Sequence, residues 1–283
     1  MKPTKEQIKA YYNQTLERCL SAFSQLDEKE WAKKASDHSS AKERLTHIAG
    51  ALEEQVLPLT RQAVAGQPGT LPGFEGRADE REYNARMIAS RRDSPVAELL
   101  ARIKSAVEEH VHILDGLSEA DLDKAGSDPA WDRTGTLRDL YCAAYLIFPN
   151  QYQEIRRVNK KKLPHWIKGG TPDQAQYHLD RLFNFMPLIF RSEANADFQA
   201  VYQFTMDGVA GGQWHIKIAN GRADAGDGAA ERFDAEVRTK PELWMDLASG
   251  DLSPPIAIMT RKVKLGGNAA LALKLGSLFG GTG

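Results

Sequence analysis

Of the seven histidines in this chain, His47 is the strongest candidate for a ligand or a base. It stands in the run Leu45-Thr46-His47-Ile48-Ala49, beside an apolar helical stripe. One imidazole binds zinc far too weakly to specify a site. His110 and His112 are two apart in a helical pattern, about 200° around the axis, so they cannot chelate one ion together. A metal centre assembled from His47, one of those two and a carboxylate such as Glu53, Glu54 or Asp139 is one reading of these residues. The simpler expectation for His47 is a hydrogen-bonded side chain in a vestigial pocket. Cys142 is a second candidate, as a nucleophile, and it would need a positive neighbour to lower its pKa. Arg138, four residues earlier, is placed for that. A small buried thiol that packs like alanine is the plainer reading. His38 and His165 lie in polar or linker sequence, where exposure is expected.

The C-terminal third offers binding rather than catalysis, and no catalytic residue is assigned. Large apolar side chains recur there on successive elements: Phe183, Met186 and Phe190, then Trp214 and Ile216 with Val201, then Trp244, Ile256 and Met259, then Leu275 and Phe279. This is more apolar surface than a small sheet needs for closure. Methionines and aromatics together suit an adaptable cavity for a hydrophobic molecule.

The elements that position these residues differ between the two halves. In the first half, Thr4 with Gln7 and Ser40 with Glu43 form capping-box patterns. The first precedes a helix with Ile8, Tyr12, Leu16 and Leu20. The second opens a helix with Leu45, Ile48, Ala49, Leu52 and Val56, expected to stop at Pro58 or soon after. Gly66 to Gly76 reads as an irregular loop or lid. Helices resume near Arg81, and Ser94-Pro95 opens the stripe Val96, Leu99, Leu100, Ile103, Val107, Val111 and Leu114. A last helix begins near Thr136 and contains Pro149, so a kink or break is expected at Phe148.

From Phe198 the period becomes two. Phe198, Ala200, Tyr202, Phe204 and Met206 share one face, and Trp214, Ile216 and Ile218 alternate with Gln213, His215 and Lys217. Asn220-Gly221 suits a tight hairpin, since both residues tolerate positive φ. An antiparallel, one-sided sheet is expected. It is followed by short helical segments at Glu242 to Ser249, Pro255 to Met259 and Ala269 to Phe279, the last a lid with glycines at both ends, Gly266-Gly267 and Gly280-Gly281.

The expected organisation is residues 1–159 as a helical domain, 160–173 as a linker rich in Lys, Pro and Gly, and 174–283 as the second domain. A length of 283 residues accommodates both cores. The net charge of −1 leaves no basic excess for a phosphate backbone, so nucleic acid is excluded as a partner. Two distant cysteines, Cys19 and Cys142, read as thiols in a reducing compartment. No apolar leader or membrane-spanning run is present, so a cytoplasmic location is expected. The sequence leaves transient membrane contact and oligomeric state open.

Two resemblances add to this. Met186-Pro187, Val201-Tyr202-Gln203-Phe204 with Asp207-Gly208, Trp214 to Ile218 leading to Asn220-Gly221, Pro241-Glu242-Leu243-Trp244, Gly250-Asp251-Leu252, Ala257-Ile258-Met259 and Val263 to Gly267 together resemble the sterol-carrier-protein-2 family. The resemblance implies an α+β fold, with a five-stranded antiparallel sheet and an apolar tunnel for a sterol, fatty acid or acyl-CoA. Leu45 to Gly50, Tyr83-Asn84-Ala85-Arg86 with Arg91 to Pro95, and Gly135 to Leu140 are similar to the DinB-like four-helix family, which includes the N-terminal domain of mycothiol-dependent maleylpyruvate isomerase. That resemblance implies a divalent metal held by one histidine of helix two and two residues a turn apart on the last helix. His47 fills the first position, whereas Ile147 and Gln151, or Phe148 and Tyr152, stand at the others. The expectation is a carrier of an apolar molecule with no cofactor. The alternative is a thiol-dependent isomerase or transferase that holds Zn or Ni through His47 and non-standard ligands, with Trp131-Asp132-Arg133 and Arg91-Arg92 facing an anionic thiol.

Overall fold

The computed structural model describes residues 2–35 and 39–279. His38 and the Gly280-Gly281 pair lie outside them. The chain forms two compact units, residues 2–165 and the segment from Trp166 onward. The division falls inside 160–173, a stretch anchored by buried Leu163, Trp166 and Ile167. His165 is buried as well, contrary to the expectation from its polar neighbours, because the apolar residues on either side carry the segment inward.

The first unit runs α1 (Lys5–Phe23), α2 (Glu28–Trp31), α3 (Ala41–Gly50), a π-helical turn (Ala51–Val56), α4 (Leu57–Val64), α5 (Glu80–Ala89), α6 (Val96–Asp115), a two-stranded ribbon of β1 (Ala125–Gly126) and β2 (Gly135–Thr136), and α7 (Leu137–Val158). Thr4, Ser40 and Thr136 each cap a helix, with Gln7, Glu43 and Asp139 returning the bond to the cap backbone. Ile8, Tyr12, Leu45, Ile48, Leu52, Leu99, Ile103, Val107, Tyr141 and Tyr145 are buried. They come from the stripes of four helices, which meet in one core.

Neither proline ends its helix. The second helix continues past Pro58 to Val64. Widening to a π turn, in which Leu57 N–H donates to the Leu52 carbonyl, relieves the clash of the proline ring with the preceding turn. Pro58 has no N–H to offer the Glu54 carbonyl, which accepts from the Tyr83 hydroxyl at 2.9 Å instead. Likewise α7 runs unbroken through Pro149. Tyr145, Phe148 and Tyr152 are all buried around the missing backbone bond, and their packing outweighs its loss. The glycine-rich connection is not a free lid: buried Leu71 and Phe74 pin it, and Phe74 stacks on Tyr83 at 4.9 Å.

The second unit begins with α8 (Pro172–Phe185) and a 3-10 turn (Met186–Ile189). Strands β3 (Ala200–Met206), β4 (Gly212–Ala219), β5 (Arg222–Asp227), β6 (Ala235–Thr239) and β7 (Lys264–Gly267) form a sheet in the order β5-β4-β3-β6-β7. Helices α9 (Pro241–Ala248), α10 (Pro254–Met259), α11 (Ala269–Leu273) and α12 (Leu275–Phe279) complete it, so the terminal segment is two short helices parted at Lys274. Asn220 and Gly221 have φ of 53° and 69°, as the tight turn between β4 and β5 requires.

The sheet is mixed, not wholly antiparallel, because β3 and β6 pair in parallel, Tyr202 opposite Ala235 and Met206 opposite Thr239. After β5 the chain must return along the sheet before β6 can start. The crossover covers β3, so the sheet is not one-sided either: Gln203 and Thr205, on the expected solvent face, are buried. The Gln203 amide donates to the carbonyls of Phe204 and Trp214 and accepts from Ala230 N–H of the crossover at 2.8 Å. Replacing it by leucine strands the Ala230 donor, and the expected loss is about 1–3 kcal/mol. Urea unfolding of the Gln203→Leu chain measures it, and an unchanged midpoint would contradict the role.

Candidate functional site

In the helical unit, α3 carries Arg44 and His47 toward α7, where Arg44 lies 3.9 Å from Glu154. His47 is half-buried, and loss of hydration followed by the nearby Arg44 charge lowers its pKa to about 4. The Gln151 Oε1 atom is buried without a hydrogen-bond partner.

The carboxylates that would complete a metal set are engaged elsewhere. Glu53 accepts from Arg91 at 2.9 Å and from both Nε and Nη2 of Arg102 at 2.8 Å. Glu54 pairs with Arg91 at 2.5 Å. Asp139 accepts from the backbone and hydroxyl of Thr136, each at 2.8 Å, as part of the cap of α7. His110 does not face His47's partners but lies in the core, within 3.0 Å of the Thr60 hydroxyl and stacked on Tyr141 at 4.0 Å. His112 is exposed. Among the described residues no group of three His, Cys, Asp or Glu side chains is placed to hold a metal ion. A single neutral imidazole does not fit a divalent centre.

The thiol candidates fare similarly. Cys19 and Cys142 are buried and unbonded to each other, and burial pushes the Cys19 thiol up to about 12. Arg138 is held by the Pro3 carbonyl and by Glu119 and Asp123 at 3.1 and 3.4 Å, tying the start of the chain to α7. Arg91, proposed for an anionic thiol, is buried between Glu53 and Glu54.

The second unit brings most of its predicted binding residues together. Phe183, Met186, Phe190, Trp214, Ile216 and Phe279 lie in one buried apolar cluster, with Trp244 and Leu275 packed against it. Its centre is aromatic: Phe183 of α8 stacks on Trp214 of β4 at 4.8 Å and on Trp244 of α9 at 5.5 Å, and Phe204 of β3 meets Trp244 edge-on at 5.3 Å. Tyr202 and Phe204 belong to this cluster although only the strand alternation marked them. Val201, one residue away, points to the opposite face by the same alternation. Ile256 and Met259 stand outside, 54% and 83% exposed.

Polar atoms in this interior are few. The Trp214 indole N–H donates to Asp180 at 2.9 Å, and the Tyr202 hydroxyl to the Leu271 carbonyl at 3.0 Å. The Trp244 indole nitrogen is buried with no hydrogen-bond partner. The aromatic faces offer apolar contact, and the Trp244 indole offers one hydrogen-bond donor.

Comparison with known proteins places both halves. Residues 11–148 match the DinB superfamily and residues 191–280 the SCP-2 sterol transfer family. Hydroxysteroid dehydrogenase-like protein 2 of Xenopus tropicalis is 30% identical over 121 residues, covering 40% of this chain and 27% of that protein. Its Rattus norvegicus counterpart is 38% identical over 82 residues, covering 29% of this chain and 16% of that protein. The chain thus spans about a quarter or less of the length of these curated relatives. The crystal structure of mycothiol-dependent maleylpyruvate isomerase superposes on 89% of this chain and 91% of its own, with a TM-score of 0.56 at 12% identity, a likeness of fold alone. No helix among the described residues is long and apolar enough to cross a membrane. The chain therefore joins a DinB-like helical region, matched over residues 11–148, to an SCP2-like domain, matched over residues 191–280.

Proposed function

We propose that the second unit binds, and hands on, a hydrophobic molecule with a polar end, of the sterol, fatty acid or acyl-CoA class. The SCP-2 family match supports binding or transfer of a hydrophobic ligand. The observation that carries the finer reading is the aromatic stack of Phe183, Trp214 and Trp244 with the partnerless indole N–H of Trp244 inside it. The stack supplies apolar contact for a ring system or chain, and the N–H supplies one directional bond to a hydroxyl, carbonyl or carboxylate. In this reading Phe183, Met186, Phe190, Trp214, Ile216, Trp244, Leu275 and Phe279 line or back the ligand, and Ile256 and Met259 do not.

The helical unit acts in this proposal as a partner domain without a resident metal, since Glu53, Glu54 and Asp139 are committed to arginines or a helix cap. A thiol-dependent isomerase working through His47 is the second reading, supported by an imidazole that burial holds neutral. It requires stoichiometric metal or thiol-dependent turnover that His47→Ala abolishes.

Titration with a fluorescent fatty acid and a fluorescent sterol tests the proposal. Saturable binding is expected for at least one. Trp244→Phe keeps the aromatic volume and removes the N–H, and it is expected to weaken that binding about five- to tenfold. Absence of saturable binding by either probe would contradict the reading.

A further inference from the structure

Helix α10 turns large apolar side chains to solvent. It buries Ala257 completely, while Ile256 is 54% and Met259 83% exposed. These two are three residues apart and so share a face. Pro254 and Pro255, at the start of the helix, are exposed too. Directly after the helix comes Arg261-Lys262-Val263-Lys264, in which Val263 is buried and the three cations are exposed. Arg261 adopts φ of 55°, a left-handed position after a helix end that glycine fills at lower cost. Here it sets a guanidinium-bearing residue two positions from Met259.

The segment itself carries no counter-charge. No acidic residue occurs between Pro254 and Lys264. Lys264 lies opposite Arg238 on the neighbouring strand β6, which places two cations side by side on one face of the sheet. Asp207, whose charge also acts on Lys264, is engaged by both Nε and Nη2 of Arg238 at 2.8 Å. Glu236 accepts from the Thr205 hydroxyl at 2.8 Å.

We propose that α10 and the Arg261-Lys262-Lys264 segment form a docking surface for an anionic lipid bilayer. Ile256 and Met259 enter the boundary between headgroups and acyl chains while the three cations meet the headgroup phosphates and carboxylates. An apolar face with basic flanks is the arrangement that lies in a membrane interface. A second copy of the chain is the poorer occupant, because a two-fold contact across this face sets Arg261, Lys262 and Lys264 against their own equivalents. The surface goes beyond ligand binding, and its occupancy does not depend on what the aromatic interior holds.

Flotation of the full chain with vesicles tests this directly. Partition onto phosphatidylcholine vesicles containing phosphatidylserine is expected to exceed that onto phosphatidylcholine alone by about tenfold or more at low salt, and to fall as salt is raised. The double change Ile256→Ser and Met259→Ser is expected to lower partition about tenfold. The double change Arg261→Glu and Lys262→Glu is expected to remove the preference for anionic lipid. The charge variant decides the matter if the serine variant fails to fold. Equal or absent partition on the two vesicle types overturns the proposal, and so does partition unchanged by both variants. A concentration-dependent dimer without vesicles that the serine variant abolishes also overturns it, in favour of a second copy.

Discussion

Truncating Phe183 to alanine lowers the stability of the second unit by about 3–5 kcal/mol. Phe183 is fully buried, and its ring contacts Phe204, Trp214 and Trp244 with centroids 4.8, 4.8 and 5.5 Å away. Removing it leaves a ring-sized void that sheet strands and α9 cannot close without shifting, because each is held by its own backbone ladder or helix. Urea unfolding of the intact chain, followed by tryptophan fluorescence, reports the change through Trp214 and Trp244. Phe183→Leu retains most of the volume and is expected to cost less than half as much. A destabilisation by alanine below about 1 kcal/mol would mean that the aromatic stack is loosely packed.

Acid weakens the helical unit through its buried histidines, and the effect falls in a defined window. Burial pushes the pKa of His110 down to about 3, and burial with Arg44 nearby lowers His47 to about 4, both from the usual 6.5. The fold therefore holds the neutral rings, while the unfolded chain takes up protons below 6.5. Their contribution is complete above that pH and is lost as pH falls from 6.5 toward 3 or 4. Between pH 7 and pH 5 each histidine is expected to remove about 2 kcal/mol. Most of the carboxylates whose pKa is perturbed, Glu43, Glu53 and Glu119 among them, are held below the usual range and lose their contribution only below about pH 4.5. Glu80 and Asp128 are raised by burial and act in the opposite sense as pH falls. The His110→Leu chain isolates one term: its loss between pH 7 and pH 5 is about 2 kcal/mol smaller than that of the parent. Equal losses in the two chains, measured by urea unfolding with circular dichroism, would contradict a neutral buried His110.

How much of this could be read from the sequence depends on whether the signal was local. The capping pairs Thr4 with Gln7 and Ser40 with Glu43, and the Asn220-Gly221 turn, are local chemistry, and the structure places them where their spacing says. The parallel pairing of β3 with β6 is not local. A strand of five residues alternates in the same way whichever direction its neighbour runs, so only the crossover path, tied down at Gln203, decides it. Pro58 does not stop its helix and Pro149 does not break α7 because distant side chains compensate, Tyr83 for the stranded Glu54 carbonyl and the buried Tyr145 and Tyr152 around Pro149.

The binding interior divides along the same line. Phe183, Trp214 and Trp244 are large and recur on elements that must pack together, so their convergence followed from burial alone. Ile256 and Met259 were expected inside for the same reason, yet a helix of six residues can bury one side only, and α10 buries Ala257. Hydrophobicity does not distinguish a core face from a face meant for another apolar surface. That Ile147 and Gln151 are poor metal ligands is legible in the sequence, whereas the pairing of Glu53 with Arg91 and Arg102 joins residues far apart in the chain and is not.

The central claim is that the second unit holds an apolar molecule and that the helical unit works without a metal. Native mass spectrometry of the freshly purified full chain, followed by denaturing extraction and elemental analysis, tests both at once. The account predicts an adduct of lipid mass that is released on unfolding and no stoichiometric zinc or nickel. A chain that carries one metal ion and no apolar adduct would contradict it, and would make His47 the place to look for chemistry.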